Sequence, residues 1–204
     1  MAEQMLTEYK SRRNSAVLMQ TEAGRFVKKT FADQGAFQKE LHIYSLLEGK
    51  RLPCAKVMAA EDSTLILSEL PGQTLLECLE QQEETGQPVW EIWEKLVAWM
   101  VGFWRHTGFV MTDVNLRNFL YDEKTKTLYG LDFEECDAGC VVTTLASVAA
   151  YIRTYKPENT WLKQEISQYV LRQFAQNCEM EVEILLQESK QQEEQILNRR
   201  KNKI

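Results

Sequence analysis

Asp113, Asn118 and Asp132 are polar residues set at intervals that suit one reaction. The first two stand five positions apart in Met111-Thr-Asp-Val-Asn-Leu-Arg-Asn118, and Asp132 follows fourteen residues later in Leu131-Asp-Phe-Glu134. Phosphoryl transfer asks little covalent work of a protein. It needs one carboxylate to orient an attacking hydroxyl and accept its proton, and oxygen ligands to hold Mg²⁺ against nucleotide phosphates. Asp113 suits the first task; Asn118 and Asp132 suit the second. An Asp-x4-Asn pair is short enough to arise by accident in a loop. The order of the surrounding elements therefore carries the weight.

Those elements fall into two regions. Residues 1–70 read as an N-terminal lobe of short strands with one helix. Ala16 to Thr21 and Arg25 to Phe31 flank the glycine-containing turn Glu22-Ala-Gly24, a hairpin pattern. Asp33 to Leu47 follows with Phe37, Leu41, Tyr44 and Leu47 at helical steps. Ser63 to Ser68 is a short apolar strand ended by Glu69-Leu-Pro-Gly72. Residues 71–204 read as a helical lobe. Its first clear stripe is Trp90, Trp93, Leu96, Val97, Met100 and Trp104 within Val89 to Thr107. A hairpin of Phe119–Asp122 and Thr127–Leu131 joins the loop 111–118 to Asp-Phe-Glu at 132–134. A helix begins near Val142, and Tyr151 to Leu186 reads as two more helices broken near Pro157. The polar tail from Lys190 to Ile204 reads as a fraying end.

A strand-rich lobe, the hinge-like Ser63-Thr-Leu-Ile-Leu-Ser-Glu-Leu-Pro-Gly-Gln-Thr-Leu75, then a helical lobe carrying the Asp–Asn hairpin and Asp-Phe-Glu, resembles the small bacterial kinase-like phosphotransferases. That group surrounds aminoglycoside and choline kinases, Rio-type kinases and lipopolysaccharide-core sugar kinases. The resemblance covers roughly residues 10 to 155. It implies an α+β, protein-kinase-like bilobal fold, with ATP and Mg²⁺ as cofactors. It further implies Asp113 as the catalytic-loop Asp, Asn118 and Asp132 as metal ligands, and a strand Lys that reaches the phosphates under the hold of a helix Glu. Lys28 and Lys29 are the candidates for the Lys, and Glu40 for its partner. Strand side chains alternate faces, so only one Lys can face the cleft. The resemblance implies a small or β-branched residue two places before it, touching the adenine, which selects Lys29 with Val27. Ser68, Glu69 and Leu70 would line the hinge through their backbone groups. Asn115 and Arg117 would contact substrate, phosphate or solvent.

Departures from that pattern bear on the function. Met111 stands where the family places a loop-ordering His. The phosphate-covering segment, Ser11-Arg-Arg-Asn-Ser15, has no glycine to let backbone N–H groups approach phosphates closely, so Arg12 or Arg13 would have to substitute through charge. Glu134 replaces a Gly and could help hold a second Mg²⁺. Only about ten residues separate Asp132 from the helix near Val142, too few for the activation segment that protein kinases use to bind and regulate on peptides.

Composition narrows the classes further. No apolar run approaches a membrane span, and the N-terminus lacks a secretory pattern. Five cysteines at irregular positions speak for a reducing cytoplasm rather than a disulfide framework, and with two histidines in the chain Cys136-x3-Cys140 has no second half for a zinc site. A net charge of −6 argues against broad nucleic-acid binding. The expectation is an ATP- and Mg²⁺-dependent phosphotransferase for a small hydroxylated acceptor. Two alternatives stand beside it: a pseudokinase or nucleotide-binding partner protein, and a compact kinase accessory to an RNA-modifying complex, the latter suggested by the basic tail Arg199-Arg-Lys-Asn-Lys203 and involving a protein partner.

Overall fold

The computed structural model describes residues 4–9 and 13–201. Strands β1 (Gln4–Tyr9), β2 (Ser15–Thr21), β3 (Gly24–Thr30), β4 (Val57–Glu61) and β5 (Thr64–Ser68) form an antiparallel sheet in the order β1-β2-β3-β5-β4. The β2–β3 hairpin closes at Glu22-Ala23, and Gly24 takes φ +129°, a conformation that only glycine adopts without strain. Helix α1 (Gln34–Leu47) starts where the Asp33 side chain accepts from the Ala36 N–H at 2.7 Å. Its buried residues are Phe37, Glu40, Ile43, Tyr44 and Leu47. Leu41, expected on that face, is only half-buried. The inward stripe is rotated toward Glu40, so an acid sits on the core face of the helix.

Beyond the sheet, β6 (Gln73–Thr74) leads into α2 (Leu75–Thr85), whose start is fixed by a reciprocal Thr74–Glu77 capping box. Helix α3 (Trp90–Thr107) follows. It buries a wider face than its stripe suggested, including Ile92, Trp99, Val101 and Phe103, because it packs on several elements at once. Trp90 and Trp104 lie at the margin, and Trp90 packs against Tyr169 with ring centroids 4.7 Å apart. Strands β8 (Phe119–Asp122) and β9 (Thr127–Gly130) form the expected hairpin, extended by β6. Strands β7 (Val110–Met111) and β10 (Cys136–Asp137) pair across the site described below.

The C-terminal helices differ from expectation. Helix α4 (Val141–Thr154) contains Tyr151, α5 runs Trp161–Cys178, and α6 runs Val182–Lys201. The tail does not fray at Lys190. Its polar sequence hides a narrow stripe, Leu185, Ser189, Gln192 and Ile196, that buries against α4. Polar contacts complete that face: Arg153 donates to Glu193 at 2.7 Å and to the Ser189 hydroxyl at 2.7 Å, and Ser147 donates to Gln192 at 3.2 Å. Buried polar groups that find partners in this way stabilise a helix which hydropathy alone underrates. Among the described residues, no helix is long and apolar enough to cross a membrane.

One aromatic cluster joins the two regions. Phe133 is fully buried, stacked on Phe103 (5.5 Å) and Trp99 (6.1 Å) and met edge-on by Tyr44 of α1 (5.1 Å). Trp99 is further held by its indole N–H, which donates to the Pro53 carbonyl at 2.7 Å. A Cβ on Gly130 would lie 2.2 Å from the Trp99 ring. With the ring held by Phe103, Phe119 and Phe133 and by its bond to Pro53, the clash is not relieved by a simple rotation. Gly130→Ala is therefore expected to lower the unfolding free energy by about 1–3 kcal/mol or more, as overpacking does. Urea denaturation would measure it, and an unchanged midpoint would show that Trp99 can move.

Candidate active site

The pairing of β3 with β5 decides which lysine faces inward. Val27 pairs with Leu67 and Lys29 with Leu65, placing both on the inner face, while Lys28 points out and is exposed. Lys29 is only 8% exposed. Its ammonium donates to Glu40 at 2.7 Å and to Asp132 at 2.6 Å, and lies 3.6 Å from Glu134. It also sits 4.7 Å from the centre of the Phe31 ring. Burial alone would push the Lys29 ammonium down, but Glu40 and Asp132 together hold it above the ordinary lysine value. Burial pushes the Glu40 carboxyl up, to about 7, with Lys29 pulling the other way. Glu40 Oε1 is buried without a partner among the described residues.

Asp132 reaches this cluster through an uncommon backbone. It takes φ 62° and ψ 71°, a left-handed conformation that Asp tolerates better than most residues. The turn aims its carboxylate at Lys29 while the next residue, Phe133, plunges into the aromatic cluster. Such a conformation costs on the order of 1–3 kcal/mol and persists where the surroundings over-determine it. The oxygens of Glu40, Asp132 and Glu134 all lie within 4.8 Å of one another. Three carboxylates facing one ammonium leave local negative charge in excess. A hard divalent cation suits such an oxygen set.

The loop 111–118 is tied to this turn by backbone rather than by a histidine. Met111 is buried and pairs with Cys136 through the β7–β10 ladder. Thr112 adds two bonds to the Glu135 carbonyl, from its N–H at 2.8 Å and its hydroxyl at 2.7 Å. Main-chain pairing thus holds the loop to the turn. Asn115 donates to both Asp113 carboxylate oxygens at 3.0 Å and accepts from the Arg117 N–H at 2.9 Å. It positions Asp113 and shapes the short 3₁₀ turn Leu116–Asn118. Asn118 is buried and donates from Nδ2 to the Asp113 carbonyl at 2.9 Å, which leaves its Oδ1 for another partner. Arg117 is exposed and lies over the Tyr155 ring.

Other anticipated residues fall around this centre. Leu70 packs against the core, and Glu69 pairs with exposed Arg25 at 3.6 Å. Ser68 exchanges bonds with Lys56 at 2.9 Å, fixing the chain just before the hinge. In the phosphate-covering segment Arg12 lies outside the described residues, while Arg13 pairs with Glu135 and Asn14 donates to Glu134. Cys136 and Cys140 join no metal-ligand group among the described residues, and burial pushes the Cys136 thiol up to about 12. Three participants were not legible beforehand: Asn14, Glu135 and Tyr151. The phenol of Tyr151 is raised by burial and by the adjoining Asp113 carboxylate. No local pattern marks it, because α4 brings it to the loop from 38 positions away in the chain, 151 against 113.

Comparison with known proteins supports the architecture. The chain is similar in structure to a kinase, PK-1, of Cydia pomonella granulovirus, with a TM-score of 0.54 and 19% identity over 66% of this chain and 52% of that one. The fold is kinase-like. At that identity the likeness speaks for the fold alone, and the chain spans about half the length of the viral protein. No protein-family model matches the sequence, and no curated protein matches it.

Removing one partner of the buried pair should be severe. Lys29→Ala strands Glu40 and is expected to destabilise the fold by about 3–5 kcal/mol. Lys28→Ala, a surface change, should stay within about 0.5 kcal/mol. Glu40→Gln in the Lys29→Met background should recover part of the loss, since it removes the stranded charge. Chemical denaturation of wild type and the four variants, Lys29→Met alone included, checks this, and equal effects of Lys29→Ala and Lys28→Ala would contradict the register.

Proposed function

We propose that the chain is an ATP- and Mg²⁺-dependent phosphotransferase that acts on a small hydroxylated acceptor. The observation that carries this reading is the convergence of Glu40, Asp132 and Glu134 on buried Lys29, beside a loop that presents Asp113 and Asn118. Lys29 would turn one of its donors to the nucleotide phosphates while Glu40 keeps it in place. Asp132 and Asn118 would hold Mg²⁺, with Glu134 adjacent, and the metal when bound supplies charge neutralisation on the phosphates. Val27 would pack on the adenine, and the backbone at Glu69 and Leu70 would meet its edge. Asp113, held from below by Asn115, would orient the acceptor hydroxyl and take its proton as the phosphoryl group leaves the nucleotide.

A specific contact favours a second reading. Arg13 and Asn14, at the end of the glycine-free segment, are engaged by Glu135 and Glu134. If nucleotide cannot displace them, the protein is a kinase-like binding module that transfers nothing. A thermal-shift scan with ATP, with and without Mg²⁺, separates the two, since a ligand of the native state raises the melting temperature. The phosphotransferase reading expects a rise that depends on Mg²⁺ and vanishes in Asp132→Ala. Silence in both conditions would leave the binding module.

Turnover supplies the sharper check. Asp113→Asn is expected to lower it by about 10²–10⁴, the usual worth of a positioned acid–base group, while Mg²⁺-ATP affinity barely changes. Phosphate release or transfer from labelled ATP over a metabolite extract would be followed. Equal turnover in wild type and variant would remove Asp113 from the reaction.

A further inference from the structure

The far end of α6 is brought to the same loop that carries Asp113. Arg200 donates to the Thr154 carbonyl at the end of α4 and lies over the Tyr155 ring, 5.7 Å from its centre. Arg117, from the loop itself, lies over that ring at 6.0 Å. The Tyr155 hydroxyl accepts from the Leu116 N–H at 3.1 Å, so the ring is fixed to the loop. Tyr151, one helical turn earlier with its ring 6.4 Å from Tyr155, adjoins Asp113 and feels both Arg199 and Arg200. Exposed Arg199 and Lys201 extend the basic surface.

The chain carries a net charge of −6, yet Arg117, Arg199, Arg200 and Lys201 have no carboxylate within ion-pair distance among the described residues. By contrast Arg153, on the same helix pair, is paired with Glu193 at 2.7 Å. Tyr155 also borders a cavity of about 210 Å³ whose other walls include Glu80, Glu83 and Glu84 together with Lys156 and Lys163. Arginines gathered on one ring without an acidic partner can hold an anion, and their forks favour phosphate or carboxylate. Tyrosine rings beside them suit the apolar face of a small sugar or polyol.

From this placement the geometry points to an acceptor site between the loop and the α4–α6 end that takes a small hydroxylated anion, a sugar or polyol bearing a phosphate or carboxylate. Arg117 and Arg200 hold the anionic group, Tyr151 and Tyr155 flank the carbon skeleton, and one hydroxyl is directed at Asp113. The inference rests on the phosphotransferase reading for the last of these roles only. Anion binding at the arginines can be measured without any transfer. A small anion is favoured over a nucleic acid because the patch is limited to a few cations on an acidic protein.

The test is calorimetry with sn-glycerol 3-phosphate and ribose 5-phosphate, against glycerol, ribose, inorganic phosphate and bulk tRNA as comparisons. Wild type, Arg117→Gln and Lys201→Gln, both at exposed positions, and Arg200→Gln would be compared, with Mg²⁺-ATP binding measured on each. The phosphorylated polyols are expected to bind and their neutral parents not, with inorganic phosphate weaker than either. Arg117→Gln and Arg200→Gln should each cost about tenfold or more, the worth of a charge-assisted contact, and Lys201→Gln less. Mg²⁺-ATP affinity, measured on every variant, separates loss of the anion site from loss of the nucleotide site. Phosphorylated polyols that bind neither protein, or bind wild type and both arginine variants equally, would overturn the site. So would tRNA binding that alone depends on the arginines, or an equal loss of Mg²⁺-ATP in Arg117→Gln, which would make the patch part of the nucleotide site. Arginine-dependent polyol phosphate binding without any transfer would keep the site and refute the phosphotransferase reading instead.

Discussion

The Lys29 ammonium, buried and shared among carboxylates, is the constraint on which the rest of the arrangement depends. An isolated buried charge is costly, and a single carboxylate partner repays that cost only with good geometry. Here the partners come from two elements that the strand cannot reach locally: Glu40 from α1 and Asp132 from the turn after β9. The sheet, the helix and the turn must therefore hold one relative position. The same demand explains why α1 turns an acid toward the core. Glu40 lies with Phe37, Tyr44 and Leu47 because the helical period puts it there, and Lys29 makes the position tolerable.

The turn that brings Asp132 into place is set by hydrophobic packing. Phe133 is locked among Trp99, Phe103 and Tyr44, and the left-handed conformation at Asp132 is the link between that anchor and the polar cluster. The neighbouring loop is then tied to the turn by strand pairing and by Thr112. A main-chain ladder is insensitive to side-chain identity, which is why methionine can stand at position 111 without loosening the loop. The loop is shaped from within by Asn115, whose amide spans Asp113.

Electrostatics divide the molecule around this loop. On one side lie the carboxylates of Glu40, Asp132 and Glu134, in excess over Lys29 and suited to a cation carrying phosphates. On the other lie Arg117, Arg199, Arg200 and Lys201, without acidic partners and suited to an anion.

Much of this was legible in the residues. The alternation of strand side chains showed that only one of Lys28 and Lys29 could face inward; the family resemblance, through Val27, chose Lys29, and the β3–β5 register places it there. The Asp33 to Leu47 helix and the 119–130 hairpin were readable because each rests on spacing within a short segment. Tertiary structure decided what spacing cannot express. Helix α6 was hidden because its buried face is partly polar, and only the partners on α4 reveal that Ser189 and Gln192 are satisfied there. Glu135, Asn14 and Tyr151 entered the site through contacts between residues far apart in the chain, which no local period records. The basic tail read in sequence as a solvated helix end or a pointer to an RNA-linked role; only the fold shows Arg200 carried to the ring of Tyr155, whose hydroxyl is bonded to the loop at Leu116.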